Sequence, residues 1–244
     1  MPDGVNGGRA EVAGAEATPR WDRAPKRSGT TRVPLADKAE QQLRSAILEG
    51  ALLPGAPLVE ADLVQQLGMS KTPVREALRL LAHSGLITTD AFRTWRVRVL
   101  SSEDVQNIFD IRAILESTAI GRACTRSTQE GRRHVRETMR SIEEVAQHTR
   151  HPTLAQANRR LHGALIAECG NQEIIDVVAS YGDRLTLAVV QGWQRYDTSI
   201  KELDEHREIV EAYLDGDADR ASTLMREHIE GFACVYRSEA DGGR

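Results

Sequence analysis

The sequence predicts a mostly α protein in two parts: an N-terminal winged helix-turn-helix over residues 34–100, then an all-α antiparallel helical bundle over 101–237. Three observations carry that prediction. Two short segments with helical apolar spacing lie either side of Gly68, and the second opens on a polar, hydroxyl-bearing turn. Behind them, Ile87–Thr89 and Trp95–Leu100 alternate like the strands of a hairpin wing. From Ser101 onward the apolar residues recur only at helical spacing.

Residues 1–33 are rich in Gly, Ala and charge with no sustained period, which predicts a disordered tail. The first helix is expected near 36–49, with Ala39, Leu43, Ala46 and Ile47 on one face and Gly50 as its stop. "ALLPGAPL" reads as a turn-rich connection, and "EADLVQQLG" as a short helix that buries Leu63, Val64 and Leu67 and ends at Gly68. The next helix has Ser70 as N-cap, Pro73 in its first turn and a stripe of Val74, Ala77, Leu78 and Leu81. Its other face carries Lys71, Arg75 and Arg79, four apart, with Thr72 beside them. Cations and hydroxyls at the start of an exposed helix face suit a phosphate backbone and acceptor-rich base edges; a solvated surface helix is the plainer alternative. Arg93, Arg96 and Arg98 make the wing cationic.

In the bundle, helices are expected near 102–126, 129–148, 153–169, 171–191, 198–214 and 217–237, leaving 238–244 as a tail. Ser101 and Asp104 resemble a capping box, and Asp217 can cap the last helix after Gly216 stops the one before.

Bulk properties narrow the function classes. At 244 residues, with 40% hydrophobic and 28% charged residues, the composition is that of a soluble globular protein. No apolar run approaches a membrane span, and the N-terminus lacks a signal-peptide core. Three distant cysteines, Cys124, Cys169 and Cys234, argue against a disulfide framework and for a reducing cytoplasm. The net charge of −4 hides an asymmetry, since residues 1–100 hold 14 Lys+Arg against 11 Asp+Glu and the remainder 18 against 25. A basic segment joined to an acidic body fits a small anion-binding module carried by a regulatory or assembly domain.

Seven histidines divide into two groups. His83, His134, His148 and His151 sit among charged or polar neighbours, on faces expected to be wet. His162, His206 and His228 lie on apolar stripes of three different helices, and Asn158 lies four before His162 on the same face. Buried imidazoles need partners: either each is hydrogen-bonded separately in the core, or a shared metal supplies one. Arg112 interrupts the stripe of Val105, Ile108, Phe109, Leu115 and Ala119 and must meet an anion, either Glu116 one turn on or the carboxylate of a ligand.

"ADLVQQLGMSKTPVREALRLLAHSGLI" resembles the DNA-binding signature of the GntR family of bacterial transcription regulators. "NIFDIRAILESTAI", "LHGALIAECGN" and "DEHREIVEAYLDGDADRASTLMREHI" resemble FCD, the helical effector domain of its FadR subfamily, so the likeness covers about 34–237. The resemblance implies a homodimer that binds a near-palindromic double-stranded DNA operator and responds to a small-molecule effector, often a carboxylate. It assigns the DNA contacts to Ser70, Lys71, Thr72 and Arg75, with Arg93 in the wing. Three positions depart from the family pattern: Lys71 stands where Arg is preferred, Thr94 where the wing tip has Gly, and Ala61 near an Arg that opens the second helix. The FCD ligand pattern of an Asp and a His four apart, then two later histidines, falls on Asn158, His162, His206 and His228. Asn in place of Asp keeps a carbonyl oxygen but brings no charge, so the site leans on its imidazoles, with zinc the default and nickel or another borderline ion the alternative. Arg112 and Arg184 are the candidate effector contacts.

The expected function is a cytoplasmic, ligand-responsive transcriptional regulator, a repressor, without enzymatic activity. A zinc-dependent hydrolase built on the three histidines is the rival from another class, although no H-E-x-x-H occurs and Glu205 and Glu227 should point away from the adjoining histidines. A DNA-binding architectural protein with a purely structural bundle is the third reading.

Overall fold

The computed structural model describes residues 34–89, 94–148, 152–195 and 199–241, together with Thr18. The N-terminal module is built from α1 (Leu35–Leu48), β1 (Pro57–Leu58), α2 (Glu60–Leu67), α3 (Lys71–His83), β2 (Ile87–Thr89) and β3 (Trp95–Val97). Its core is the stripe read from periodicity: Leu43 of α1, Leu63 of α2, and Val74, Ala77, Leu78 and Leu81 of α3 are all fully buried. Gly68 closes α2 in the left-handed conformation at φ +63°, which a residue with a Cβ adopts only at a cost. Only Met69 and Ser70 separate it from α3, so the turn is tight.

The wing is a three-stranded antiparallel sheet in the order β1-β3-β2, with Pro57 opposite Arg96 and Ile87 opposite Val97. The segment expected to be a mere connection thus supplies β1. Two residues between Gly55 and the start of α2 carry too little alternation to be told from a loop; the pairing with β3 decides. The wing tip, residues 90–93, lies outside the described residues, and Arg93 with it.

The bundle contains α4 (Ser102–Arg126), α5 (Gln129–His148), α6 (Pro152–Ile166), α7 (Gln172–Ser180), α8 (Gly182–Arg195), α9 (Ser199–Asp215) and α10 (Ala218–Asp241). Ser101 and Asp104 form the expected capping box, and the Asp217 carboxylate accepts from the Arg220 N–H at the start of α10. Three expectations change. Residues 171–191 form two helices rather than one: the Tyr181 N–H turns back to the Val178 carbonyl, and the next helix starts at Gly182. A Cβ at Gly182 would lie 2.5 Å from the Arg159 guanidinium carbon, so the glycine makes room for an arginine from α6. The third helix ends at Ile166, before the left-handed Gly170, and the last runs on to Asp241. Of the N-terminal tail, Thr18 is buried against the start of α2: its N–H donates to Asp62 Oδ2 at 2.9 Å and its hydroxyl accepts from the Val59 N–H.

The long helices α4 and α10 pack along their length, and α6, α8 and α9 pack around them. The two modules also touch. Asp183 at the start of α8 is shared by Arg44 of α1 and Arg159 of α6, while Glu40 holds Arg44 from its own helix. The Arg184 side chain lies against Gly85, in the turn that follows α3.

Candidate metal centre and nucleic-acid interface

The site in the bundle is assembled from three helices. Asn158 and His162 lie one turn apart on α6, His206 on α9 and His228 on α10, and all four side chains are buried. The three imidazoles converge so that one ring nitrogen of each lies within 4.8 Å of the others. The ring centroids of His162 and His206 are 5.3 Å apart, those of His206 and His228 4.5 Å.

Hydrogen bonds decide which nitrogens face inward. Glu116 of α4, fully buried, has an oxygen 2.7 Å from His162 Nδ1. Burial by itself would raise the Glu116 carboxyl, but the Arg112 guanidinium and His162 outweigh it and hold the group at about 2. An ionised carboxylate only accepts, so Nδ1 of His162 carries the proton and its Nε2 keeps the lone pair. Arg112 Nη2 also lies 3.0 Å from His162 Nδ1, but Nη2 donates to Glu116 Oε2 at 3.3 Å, so the carboxylate satisfies both groups. On the opposite side Glu205 Oε2 lies 2.7 Å from His228 Nδ1, which turns the Nε2 of that ring toward the cluster by the same logic.

His162 Nε2 and His206 Nε2 are 3.2 Å apart. Two imidazole nitrogens sharing one zinc ion at the usual bond length with a tetrahedral angle stand about 3.3 Å apart. Burial pushes the His162 imidazole down to about 4 and that of His206 well below 6.5, so both rings are neutral and able to ligate at neutral pH. The Asn158 Oδ1 is buried without a hydrogen-bond partner, and it belongs to the residue one turn before His162. An orphaned carbonyl oxygen beside three inward imidazoles is what a cation site supplies, so the residues present fit a divalent metal. His206 Nδ1 is likewise buried and unpartnered.

Arg112 is 4% exposed and makes the internal ion pair with Glu116 one turn on. It also lies over the Phe109 ring, which stacks on Phe232. Arg184 is placed elsewhere: its guanidinium covers the Tyr181 ring and its stem meets Gly85 at the junction between modules.

Two carboxylates were not assigned to the site from sequence. Glu116 appeared only as a counter-ion of Arg112, yet it also orients His162; Leu115, read as part of the buried stripe, is half-buried, and the adjacent Glu116 takes the buried place. The signal was available, because Glu116 repeats the spacing of Phe109 and Arg112. Glu205 was expected to point away from the histidines and instead reaches His228, because α10 packs on the flank of α9 from which Glu205 projects. Glu227 does face solvent.

In the N-terminal module Ser70, Lys71, Thr72 and Arg75 are all exposed on one face of α3. Ser70 occupies the N-cap position with extended backbone, but its hydroxyl makes no capping bond and stays on the surface. Arg75 is not free: Glu60, the first residue of α2, accepts from its Nε at 3.1 Å and its Nη2 at 2.9 Å. Lys71 Nζ lies 3.7 Å from the same carboxylate. In the wing Arg96 donates to the Gly55 carbonyl at 3.1 Å.

Comparison with known proteins bears on both sites. Residues 35–97 match the profile of "Bacterial regulatory proteins, gntR family", and residues 107–231 match the FCD domain. The chain is 29% identical over 203 residues to the probable D-xylose utilization operon transcriptional repressor of Paenarthrobacter nicotinovorans, covering 83% of this chain and 88% of that protein. It is 26% identical to the HTH-type transcriptional repressor GlaR of Escherichia coli, over 77% of this chain and 89% of the relative. Among solved structures, a putative GntR transcriptional regulator from Rhodococcus sp. RHA1 has a TM-score of 0.74 at 23% identity, covering 86% of this chain and 98% of its own. Escherichia coli McbR/YncC follows with a TM-score of 0.71 at 20% identity, over 85% and 99%. At these identities the two structures speak to the fold alone.

Proposed function

From the premise that the chain belongs to the GntR family of bacterial regulatory proteins and joins that family's winged helix-turn-helix to an FCD domain, we propose a DNA-binding transcriptional repressor controlled by a small anionic ligand. Its DNA contacts are Ser70, Lys71, Thr72, Arg75 and Arg93, its metal ligands Asn158, His162, His206 and His228, and it acts in the cytoplasm as a homodimer on a near-palindromic operator. One winged module offers too little contact for a specific genomic search, which favours two copies on two half-sites. Two relatives are described as repressors, which supports the sign of regulation. Among the described residues no helix is long and apolar enough to cross a membrane.

A bound zinc or nickel ion would supply a double positive charge that three neutral imidazoles and a neutral amide leave uncompensated, favouring a carboxylate ligand beside it. Glu116 and Glu205 hold the imidazoles in place, and the stacked Phe109 and Phe232 lie on the Arg112 side. Both carboxylates are engaged with Nδ1 atoms, and Glu116 with Arg112 as well, which supports a binding site over a hydrolase that needs a free general base.

The observation that carries this reading is Asp183. It ties Arg44 of the DNA-binding module to Arg159, the neighbour of Asn158 on α6, so a displacement of α6 is felt by α1. The test is selection of duplexes from a genomic fragment pool by the full chain, followed by affinity measurement with zinc-loaded and chelator-stripped protein. We expect binding to the selected duplex at least about 10³-fold over random DNA, two chains per site by light scattering, and a changed affinity on stripping. Failure to select a sequence, a monomer on its site, or ester or amide hydrolysis by the zinc-loaded protein would refute it.

A further inference from the structure

We propose that Glu60 is a specificity-determining residue of the DNA-binding surface: it grips Arg75 side-on and presents the far end of that guanidinium to a guanine. The proposal rests on the DNA-binding reading above and adds a residue from a different helix.

The geometry is directional. Arg75 carries five N–H donors in a planar fork. The Nε–H and one N–H of Nη2 lie parallel along one side, and Glu60 takes that side with its two oxygens, at 3.1 Å and 2.9 Å. The remaining N–H of Nη2 and the outward N–H of Nη1 form a second parallel pair at the tip, which Glu60 leaves untouched. The O6 and N7 atoms of guanine are adjacent acceptors in the major groove, spaced for such a pair. A carboxylate that masked the fork would have to cover its tip; this one covers its flank.

Glu60 is itself anchored. It begins α2, where a negative charge is favoured by the helix dipole, and its side chain is 23% exposed against 45% for Arg75. Lys71 Nζ approaches the same oxygen at 3.7 Å, and the Trp95 side chain of β3 hydrogen bonds to the carboxylate. One residue thus joins the second helix, the recognition helix and the wing. With Arg75 and Lys71 against a single Glu60, the cluster stays cationic and does not repel phosphate. An arginine held before DNA arrives has already lost most of its rotamer freedom on folding, so less is lost on binding.

The test uses the full chain and a duplex that the parent selects from a random pool, together with versions in which each G·C pair is replaced in turn, at one salt concentration. Glu60→Ala should lose tenfold or more of the discrimination at one G·C pair per half-site, the same pair at which Arg75→Ala loses it. Its affinity for random DNA should be equal or higher, because a negative charge has gone. Glu60→Gln, which offers one accepting oxygen where the carboxylate offers two, should fall between the parent and Glu60→Ala, and it keeps the test open if Glu60→Ala melts below the assay temperature. Unchanged discrimination in both variants would overturn the proposal. So would tighter operator binding with discrimination kept, since Glu60 would then be a competitor of DNA. A parent that selects no sequence sinks the DNA-binding reading and this role together; a parent that selects while the Glu60 variants discriminate equally sinks this role alone.

Discussion

At the scale of single residues, the buried site is governed by which polar atoms have partners. Asn158 Oδ1 has none, and a carboxylate there would bring charge to the same place. Asn158→Asp is expected to tighten zinc by about tenfold or more, a modest return for a direct contact with a divalent ion. His206→Ala should release the metal, so that the difference in melting temperature between loaded and stripped protein collapses. Chelator competition and thermal unfolding of both variants check this; an equal loaded-minus-stripped difference in His206→Ala would leave the histidines as core residues. The same burial sets a pH response. His162 is depressed to about 4 and His206 lies well below 6.5, so the unfolded chain takes up protons that the folded one refuses. Stability is then fully present above about 6.5 and falls as the pH drops from there toward 4, by roughly 1.4 kcal/mol per unit for each histidine. Glu116, held at about 2, adds a further loss below about 4.5. In stripped protein the melting temperature should be level from pH 8 to 6.5 and fall by pH 5; a level profile down to pH 5 would contradict the burial of neutral imidazoles.

At the scale of elements, α3 has two faces with separable effects. Leu78 is fully buried, and Leu78→Ala should cost about 2–5 kcal/mol of stability whatever happens to DNA binding. Arg75 is half exposed, so Arg75→Ala should leave the fold intact and remove specific binding, a bidentate base contact being worth about 1–3 kcal/mol. Lys71→Ala should weaken selected and random duplexes alike and lower the salt slope by about one, as a phosphate contact does. Fluorescence anisotropy at several salt concentrations separates the two, and an Arg75→Ala variant with parental affinity for the selected duplex would rule out α3 as the reading helix.

At the scale of the whole molecule, the modules are joined by charges that crowd around Asp183. Burial and the nearby Arg44 both push the Arg159 guanidinium down, so Arg159 contributes less to the junction than its hydrogen bond suggests. Asp183→Asn leaves Arg44 and Arg159 facing one another across a neutral amide and should cost about 1–3 kcal/mol. Arg159→Ala relieves that repulsion, frees Asp183 for Arg44 and should cost under about 1 kcal/mol, since the arginine side chain is 43% exposed. Urea denaturation of the two variants reads the contrast; equal losses would mean that Asp183 serves α6 and α1 alike.

Periodicity and punctuation were enough to determine the order and most of the ends of the helices, the stripe of α3, the turn at Gly68 and the capping box at Ser101, because each depends on neighbours within about four residues. The convergence of His162, His206 and His228 was legible because each sits on its own helix's apolar stripe, and stripes must meet in a core. Tertiary structure alone decided what lies between elements. The pairing of Pro57–Leu58 with β3, the break at Tyr181 that admits Arg159, the reach of Glu205 to His228 and the grip of Glu60 on Arg75 all join residues 15 or more apart in the chain. The direction of a side chain around its helix follows from sequence to within a sector, but a flexible carboxylate at the edge of that sector takes whichever cation or N–H the neighbouring helix brings within about 3 Å.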